Sequence, residues 1–455
     1  MSVEESAVLT RNASKSEERG YSLVYAWLVV GLLMLAYTLS FLDRQILSLL
    51  VTDIKADLGV SDTQIGLLQG LAFSLFYTIL GIPIARLADT KNRRNLISVG
   101  IFAWSFMTMC CGFAKTFTML SLARMGVGIG EATLTPAAYS IITDYFPREQ
   151  LSKALSFYAM GVYIGGGIAF AAGGHLVVYL SSVQFDPGSF FEGMRGWQLA
   201  FLAAGAPGIF LSALILLAVR EPERRSHDSG EVSADEAIPL REAVRYLRDH
   251  WREYFPIYAG FSIHAIAIFA TFAWLPTQLI REFGLSVAEA GQSVGSSIFV
   301  MGCLGVVVGG VICDRLLAAG RADAPLMLGL VSSVGTCVPF LIAASMDLSA
   351  EAVPYVIGST FFFMAIIAGP APAAIQLIAP KALRAQLSAV FLFFINFIGM
   401  TLGPLLPALI SDAGFVESIG TALWIIVLVS CVACGSVFLF GRRAYRALYQ
   451  RLHED

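Results

Sequence analysis

The sequence predicts an all-α membrane protein of twelve transmembrane helices in two pseudo-symmetric bundles of six. Three observations carry that reading. Only 14% of the 455 residues are charged and 57% are hydrophobic, with a mean hydropathy of +0.73, whereas a soluble domain carries about 25% charged residues. Apolar runs close to the ~20 residues that a helix needs to cross a bilayer recur along the whole length. Finally, a constant shift lays motifs of one half of the chain onto the other.

Counted between charged or Gly/Pro breaks, the apolar segments fall at 25–50, 64–87, 96–114, 117–143, 152–180, 197–219, 256–280, 291–317, 325–346, 353–378, 387–410 and 418–440, each read as one span. The basic residues choose a side. Lys55, Lys115, Arg195 and Arg281 are the only Lys or Arg in the odd-numbered loops. The termini and even loops hold Lys91, Arg93, Arg94, Arg148, Lys153, Arg321, Lys381, Arg384, Arg442, Arg443 and others. Positive charge stays inside, so both termini are expected to be cytoplasmic in a multi-pass protein of the cell's inner membrane. The first 24 residues lack the basic-then-apolar pattern of a cleaved leader.

These boundaries divide the chain into a tail (1–24), a six-span half (25–220), a connection (221–255), a second six-span half (256–440) and a tail (441–455). Within the connection, Leu240, Ala243, Val244, Leu247 and Trp251 recur at helical spacing opposite Arg241, Arg245, Arg248 and Arg252. That pattern is an amphipathic helix, on the inner membrane surface or against the helix ends. Residues 223–237 read as a solvated linker.

The halves repeat. Adding 225 maps Ser61, Gly66, Gly70 and Asp89 onto Ser286, Gly291, Gly295 and Asp314; adding 236 maps Pro136-Ala137-Ala138 onto Pro372-Ala373-Ala374 and Arg148-x-Gln150-Leu151-Ser152 onto Arg384-x-Gln386-Leu387-Ser388. Two parallel bundles related by an axis along the membrane normal are a carrier architecture, with the binding site between them near midplane.

Composition excludes several classes. The net charge of -3 and the lack of a basic, aromatic-laced arm argue against nucleic acid. All seven cysteines lie inside apolar runs and read as packed thiols. No His-x-x-x-His, paired carboxylates or phosphate-cradling Gly-rich loop stands in a setting fit for catalysis, so no metal, cofactor or enzymatic role is expected. A channel or scramblase, the other rival, would not saturate.

At this point the chain resembles the major facilitator superfamily along all twelve spans. Ala85-Arg86-Leu87-Ala88-Asp89-Thr90-Lys91-Asn92-Arg93-Arg94 is similar to its loop motif between spans 2 and 3, with alanine for the leading glycine, and Gly310-Val311-Ile312-Cys313-Asp314-Arg315 to the shorter second copy. Arg124-x-x-x-Gly128-x-Gly130 resembles the span 4 motif. Gly161, Gly165 and Gly173-Gly174 resemble the span 5 antiporter motif, with Ala169-Phe170 in place of its Gly-Pro. "FLDRQI" (41–46) and "GEATLTPAAYSIITDYF" (130–146) resemble the Asp-Arg and Gly-Glu-Ala signatures of the spinster family of sphingosine phosphate and lysophospholipid carriers, and Trp274-x-Pro276 is compatible. Ser40-Phe41-Leu42 stands where that family commonly has an asparagine-tyrosine pair. A neighbouring branch that moves sugar acids and other organic anions also carries Asp-Arg in span 1. The resemblance therefore implies a monomeric carrier of an amphiphilic anionic lipid coupled to protons, or alternatively a proton-coupled carrier of small organic anions.

Charge within the spans says where that chemistry sits. Arg124 and Glu131, seven residues apart, share nearly one helical face about 10 Å apart along the axis. A charge facing lipid at midplane costs at least ~2.5 kcal/mol, so that face is expected to meet a wet cavity or a partner. Asp43 lies at a depth similar to Arg124 and is placed to pair with it; Arg44, about 100 degrees round the helix, is placed to meet Glu131, a substrate phosphate or the interface. These four residues are the proton- and substrate-coupling candidates. Asp89, Arg93, Asp144 and Arg148 sit at cytoplasmic helix ends and are expected to join the halves when the inside closes. His264, Trp274, Gln69 and Asn396 are candidate cavity-lining residues.

Overall fold

A computed structural model describes residues 22–453 except 184, 190, 224–239, 347, 350, 381 and 382, and leaves out some further side chains, including those of Asp89 and Arg148. Among the described residues eleven helices are long and apolar enough to cross a membrane: Leu23–Leu49, Asp62–Ala88, Arg93–Gly112, Lys153–Ser182, Gly196–Ala218, Trp251–Arg281, Val287–Ala318, Ala324–Ser345, Val353–Ile378, Gln386–Asp412 and Ile419–Leu452. The expected span 4 is instead two helices, Phe117–Glu131 and Leu134–Tyr145. Its break has a local cause: Pro136 lacks the N–H that would bond the Ala132 carbonyl, and its ring crowds that carbonyl. We number the eleven, with span 4 in its place, as spans 1 to 12. Their outer faces expose Phe210 (75%), Leu217 (85%) and Phe440 (80%), an apolar surface that only lipid can solvate.

Consecutive crossings put the first and last described residues, 22 and 453, with residues 221–223 and 240–250 on one side, here the terminal side, and the loops around 59, 115, 284 and 414 on the far side. The repeat sets the helix starts. Ser61 and Ser286, related by the 225-residue shift, open spans 2 and 8 with matching capping boxes, closed by Gln64 and Glu289, each satisfying two otherwise orphan N–H groups.

The repeat also sets where the halves touch. Span 2 packs on span 11 and span 8 on span 5, and the paired glycines lie in these two seams. A Cβ at Gly66 would stand 2.8 Å from the Pro404 carbonyl, at Gly70 2.8 Å from that of Thr401, at Gly291 2.3 Å from that of Phe170 and at Gly295 2.5 Å from that of Gly167. Only glycine permits backbones this close. Hydrogen bonds between the halves gather from mid-depth to the far side: Ser74 with Thr401 (2.6 Å), the Thr63 N–H to Asp412 Oδ2 (2.6 Å), and Arg281 to both oxygens of Asp62 (3.1 Å). Asp62 is also held by Lys55 of its own half at 2.7 Å. These bonds hold the halves together on the far side.

On the terminal side two ionic hubs form, each within one half. Arg93 donates to Asp144, to Glu221 (2.7 Å), to Ser140 (2.8 Å) and to the Pro222 carbonyl (3.0 Å), tying spans 3 and 4 to the start of the connection. In the other half Asp323 accepts from Arg442 (2.6 Å) and Arg446 (2.9 Å), tying span 9 to span 12. Arg93 and Asp144, expected to join the halves when the inside closes, are here neighbours inside one bundle. The side chains of Asp89 and Arg148 lie outside the described residues. The amphipathic segment is helical over Leu240–Asp249 and buries Ala243 against Tyr254, Leu387 and Tyr445. Val244 and Trp251 remain 57% exposed, so only part of the expected apolar face docks on the helix ends.

Two measurements check this architecture. Gly70→Val or Gly295→Val should force the seams apart, so that short-reach thiol cross-linking between Thr63→Cys and Asp412→Cys falls severalfold from its level in the unsubstituted seam; an unchanged yield would mean that the seams tolerate bulk. The second concerns Asp323. Burial opposes its charge, but the hydrogen bonds from Arg442 and Arg446 outweigh burial and hold its carboxyl below the usual range. A lowered carboxyl stabilises the fold above its unfolded-state pKa of about 3.9 and loses that contribution as pH falls through the native value. Asp323→Asn should thus lower thermal stability by roughly 2 kcal/mol at neutral pH, with the gap from the parent narrowing below about pH 4.

Candidate functional site

Spans 1, 2, 3 and 4 bring the four sequence-predicted charges together in the first half, where it faces spans 7 and 11. Ser40 and Arg44 are four residues apart, hence on one face of span 1, and both reach the carboxylate that ends the first piece of span 4. Ser40 Oγ and Arg44 Nε each donate to Glu131 Oε2 at 2.6 Å. The Arg44 and Glu131 side chains are 12% and 0% exposed. The guanidinium lies 4.7 Å from the Phe73 ring, 4.8 Å from Tyr77 and 5.6 Å from Phe41. An aromatic cage of this kind spreads the cation's charge without fixing it to one acceptor.

Arg124 takes a different partner from the one expected. Its Nη1 donates to the main-chain carbonyl of Asp43 at 3.2 Å, and the Asp43 carboxylate accepts from Thr108 at 3.1 Å instead of pairing with the guanidinium. The reason is geometric: the helix turns Asp43 toward span 3, presenting its carbonyl to span 4. Arg124 also rests 5.6 Å from the Phe73 ring, whose face it shares with Arg44. Arg124, Asp43 and Glu131 are each 1% exposed.

Buried polar atoms are ordinarily satisfied, yet Arg124 Nε, Asp43 Oδ1, Glu131 Oε1 and both polar atoms of the Gln69 amide have no hydrogen-bond partner among the described residues. Arg124 and Gln69 line a cavity of about 30 Å³ between the halves, room for about two waters. Arg44, Gln69, Phe73 and Arg124 line it from the first half, and Phe269, Phe272, Met400 and Pro404 from the second. The arrangement presents two cations, one paired and one with a free N–H, to a space walled by aromatic and apolar groups. It can bind an anion at Arg124 and exchange Arg44 between Glu131 and that anion.

The remaining candidates fall elsewhere. Gln69 lines the cavity. Trp274 is fully buried and donates its indole N–H to the Pro404 carbonyl at 2.7 Å, so it packs span 7 on span 11. Asn396 is half-buried on span 11 and is not among the lining residues. His264 is fully buried inside the second half, with Ser332 and Cys434, and lines no passage. Sequence reasoning missed Ser40, Phe73, Tyr77, Thr108 and Glu221. Ser40 with Arg44, and Phe73 with Tyr77, were findable as pairs four residues apart; Glu221 was hidden by its place in the connection. Among the described residues no group of three or more His, Cys, Asp or Glu is placed to hold a metal ion.

Residues 33–404 match the family profile of the Major Facilitator Superfamily. An MFS-type efflux pump of Mycolicibacterium smegmatis is 28% identical over 98% of both chains. A probable L-galactonate transporter of Escherichia coli is 28% identical over 64% of this chain and 62% of its own length. The mouse sphingosine-1-phosphate transporter SPNS2 is 30% identical over 73% of this chain and 60% of its own. Among solved structures, a bacterial homologue of the human lysosomal transporter spinster, inward-facing and unoccupied, superposes with a TM-score of 0.77 at 28% identity, covering 94% of this chain and 98% of that one.

The buried pair is directly measurable. Removing one partner of a buried ion pair leaves an uncompensated charge and costs about 3–5 kcal/mol, whereas replacing both costs far less. Arg44→Leu and Glu131→Leu should each lower the unfolding free energy by about that much and the double variant by much less; additive losses in this cycle would show that the two do not pair.

Proposed function

Because the chain belongs to the Major Facilitator Superfamily, we propose that it is a spinster-like, proton-coupled, alternating-access carrier of an amphiphilic anionic lipid of the sphingosine phosphate or lysophospholipid type. The terminal side faces the cytoplasm of the inner membrane, as the distribution of Lys and Arg suggests, and with the halves held together on the far side the carrier stands inward-facing. One observation carries the proposal: Arg44 and Arg124 share the Phe73 ring at the seam between the halves, with Glu131 bound to the first and the second left with a free N–H. A phosphate entering from the inside takes two N–H groups of a planar guanidinium fork. Its arrival draws Arg44 from Glu131, and the carboxylate, deprived of its cation, takes a proton. The acyl chain lies against the apolar wall that Phe269, Phe272 and Met400 contribute.

Binding that favours one arrangement of the charges shifts the balance between inward- and outward-open states by the difference in affinity and no more. In this cycle the far-side contacts of Asp62 and Asp412 must break as new contacts form on the terminal side, while the ionic hubs at Arg93 and Asp323 keep each half rigid.

A second reading, carriage of a small organic anion such as a sugar acid, is favoured by the likeness to the L-galactonate transporter and by the small volume between the halves. Reconstitution separates the two. Proteoliposomes would be offered labelled sphingosine phosphate, lysophosphatidylethanolamine and galactonate, each with and without a pH gradient. We expect saturable, gradient-driven movement of a lipid, abolished gradient response in Glu131→Gln, and at least about tenfold loss in Arg124→Ala, the cost of one charge-assisted hydrogen bond. Movement of galactonate alone would transfer the proposal to the second reading, and transport indifferent to pH in parent and Glu131→Gln alike would remove the proton.

A further inference from the structure

Span 10 is broken like span 4, and the two breaks correspond under the 236-residue shift that carries Pro136 onto Pro372. It is helical over Thr360–Ala365 and again over Pro370–Ile378. Pro370 and Pro372 cannot donate to the carbonyls four residues before them. The backbone ladder runs from the Ile366 N–H to Phe362, tightens to Ala368 on Ala365, and resumes with Ala371 on Ile367. The Phe363 carbonyl falls in the gap, and a side chain from span 9 fills it: Ser332 Oγ donates there at 2.6 Å.

That bond fixes the protons further back. A hydroxyl has one hydrogen, so Ser332, having given it to Phe363, can only accept from His264 Nε2, 2.9 Å away. The imidazole therefore carries its proton on Nε2, leaving Nδ1 3.7 Å from the Cys434 sulfur, whose one hydrogen also lies within reach of the Cys431 carbonyl at 3.4 Å. Ser333 spends its own hydrogen on the Gly329 carbonyl (2.7 Å), its oxygen lying 3.1 Å from the same sulfur. His264, Ser332 and Cys434 are all fully buried. Spans 7, 9 and 10 are thus joined by one directional chain that ends on the interrupted helix. In the first half, span 1 likewise reaches the break in span 4 through Ser40 and Arg44 on Glu131.

We propose that His264 is a positioning residue of the transport cycle: its Nε2–H, relayed by Ser332, holds the break of span 10 in register, so that span 10 flexes there as the halves rock. The residue acts on the rate of the conformational step and leaves substrate affinity alone, because it lies away from the cavity. The test uses the full chain in proteoliposomes, with hydrogen–deuterium exchange over residues 364–371 and initial rates of labelled lysophosphatidylethanolamine transport. In His264→Leu and Ser332→Ala, exchange over 364–371 should rise about tenfold, the worth of one buried hydrogen bond, and the maximal rate should fall with KM unchanged. His264→Gln, whose amide N–H reaches the Nε2 position, should restore both. Exchange over 130–135, at the break of span 4, should stay constant throughout and serves as the control.

Parent-like protection of 364–371 in His264→Leu, or a His264→Gln variant as defective as His264→Leu, would overturn the proposal. If His264→Leu does not fold, Ser332→Ala decides on the same exchange readout. Failure of the parent to move the lipid would count against the cargo assignment alone, since the exchange measurement needs no substrate.

Discussion

A guanidinium cannot be left bare inside a membrane, and the arrangement of the first half follows from that constraint. Arg44 needs a carboxylate, and span 4 supplies it at Glu131, the last residue before the helix gives way at Ala132. A charge placed at a discontinuity couples electrostatics to shape, because any shift of the second piece of span 4 changes the environment of the ion pair. Arg124 obeys the same constraint with weaker means, a main-chain carbonyl and half of an aromatic face. Its incomplete satisfaction is what makes it the group most available to a ligand.

Much of the fold was legible before any coordinates. Composition and span length predicted the membrane class, and the two constant shifts predicted the repeat, whose matched serines and glycines the structure places at helix caps and in the seams. The periodicity reading missed the break in span 4, where Pro136 interrupts what the pattern treated as one helix. The site was legible in outline: Asp43, Arg44, Arg124 and Glu131 do come together. Of their pairings, Arg44 with Glu131 was among those the sequence offered, whereas Asp43 with Arg124 was misjudged, since depth along an axis says nothing of rotation about it. The i, i+4 relation of Ser40 to Arg44 held that information and outranked the depth argument that matched Asp43 with Arg124.

The ionic hubs at the terminal side each belong to one half: Arg93 finds Asp144 and Glu221 within its own bundle, as consecutive spans are neighbours far more often than distant ones. With its counterpart at Asp323, each bundle carries its own clamp there.

The latch at the far side has a feature that bears on how readily it lets go. Asp62 is gripped twice, by Arg281 from across the seam and by Lys55 from its own loop. Were the halves to part there, Arg281 would leave and Lys55 would stay, so the carboxylate would keep a counter-ion. Separation would forfeit one attraction and expose no naked charge, where undoing a solitary bridge would strand its partner.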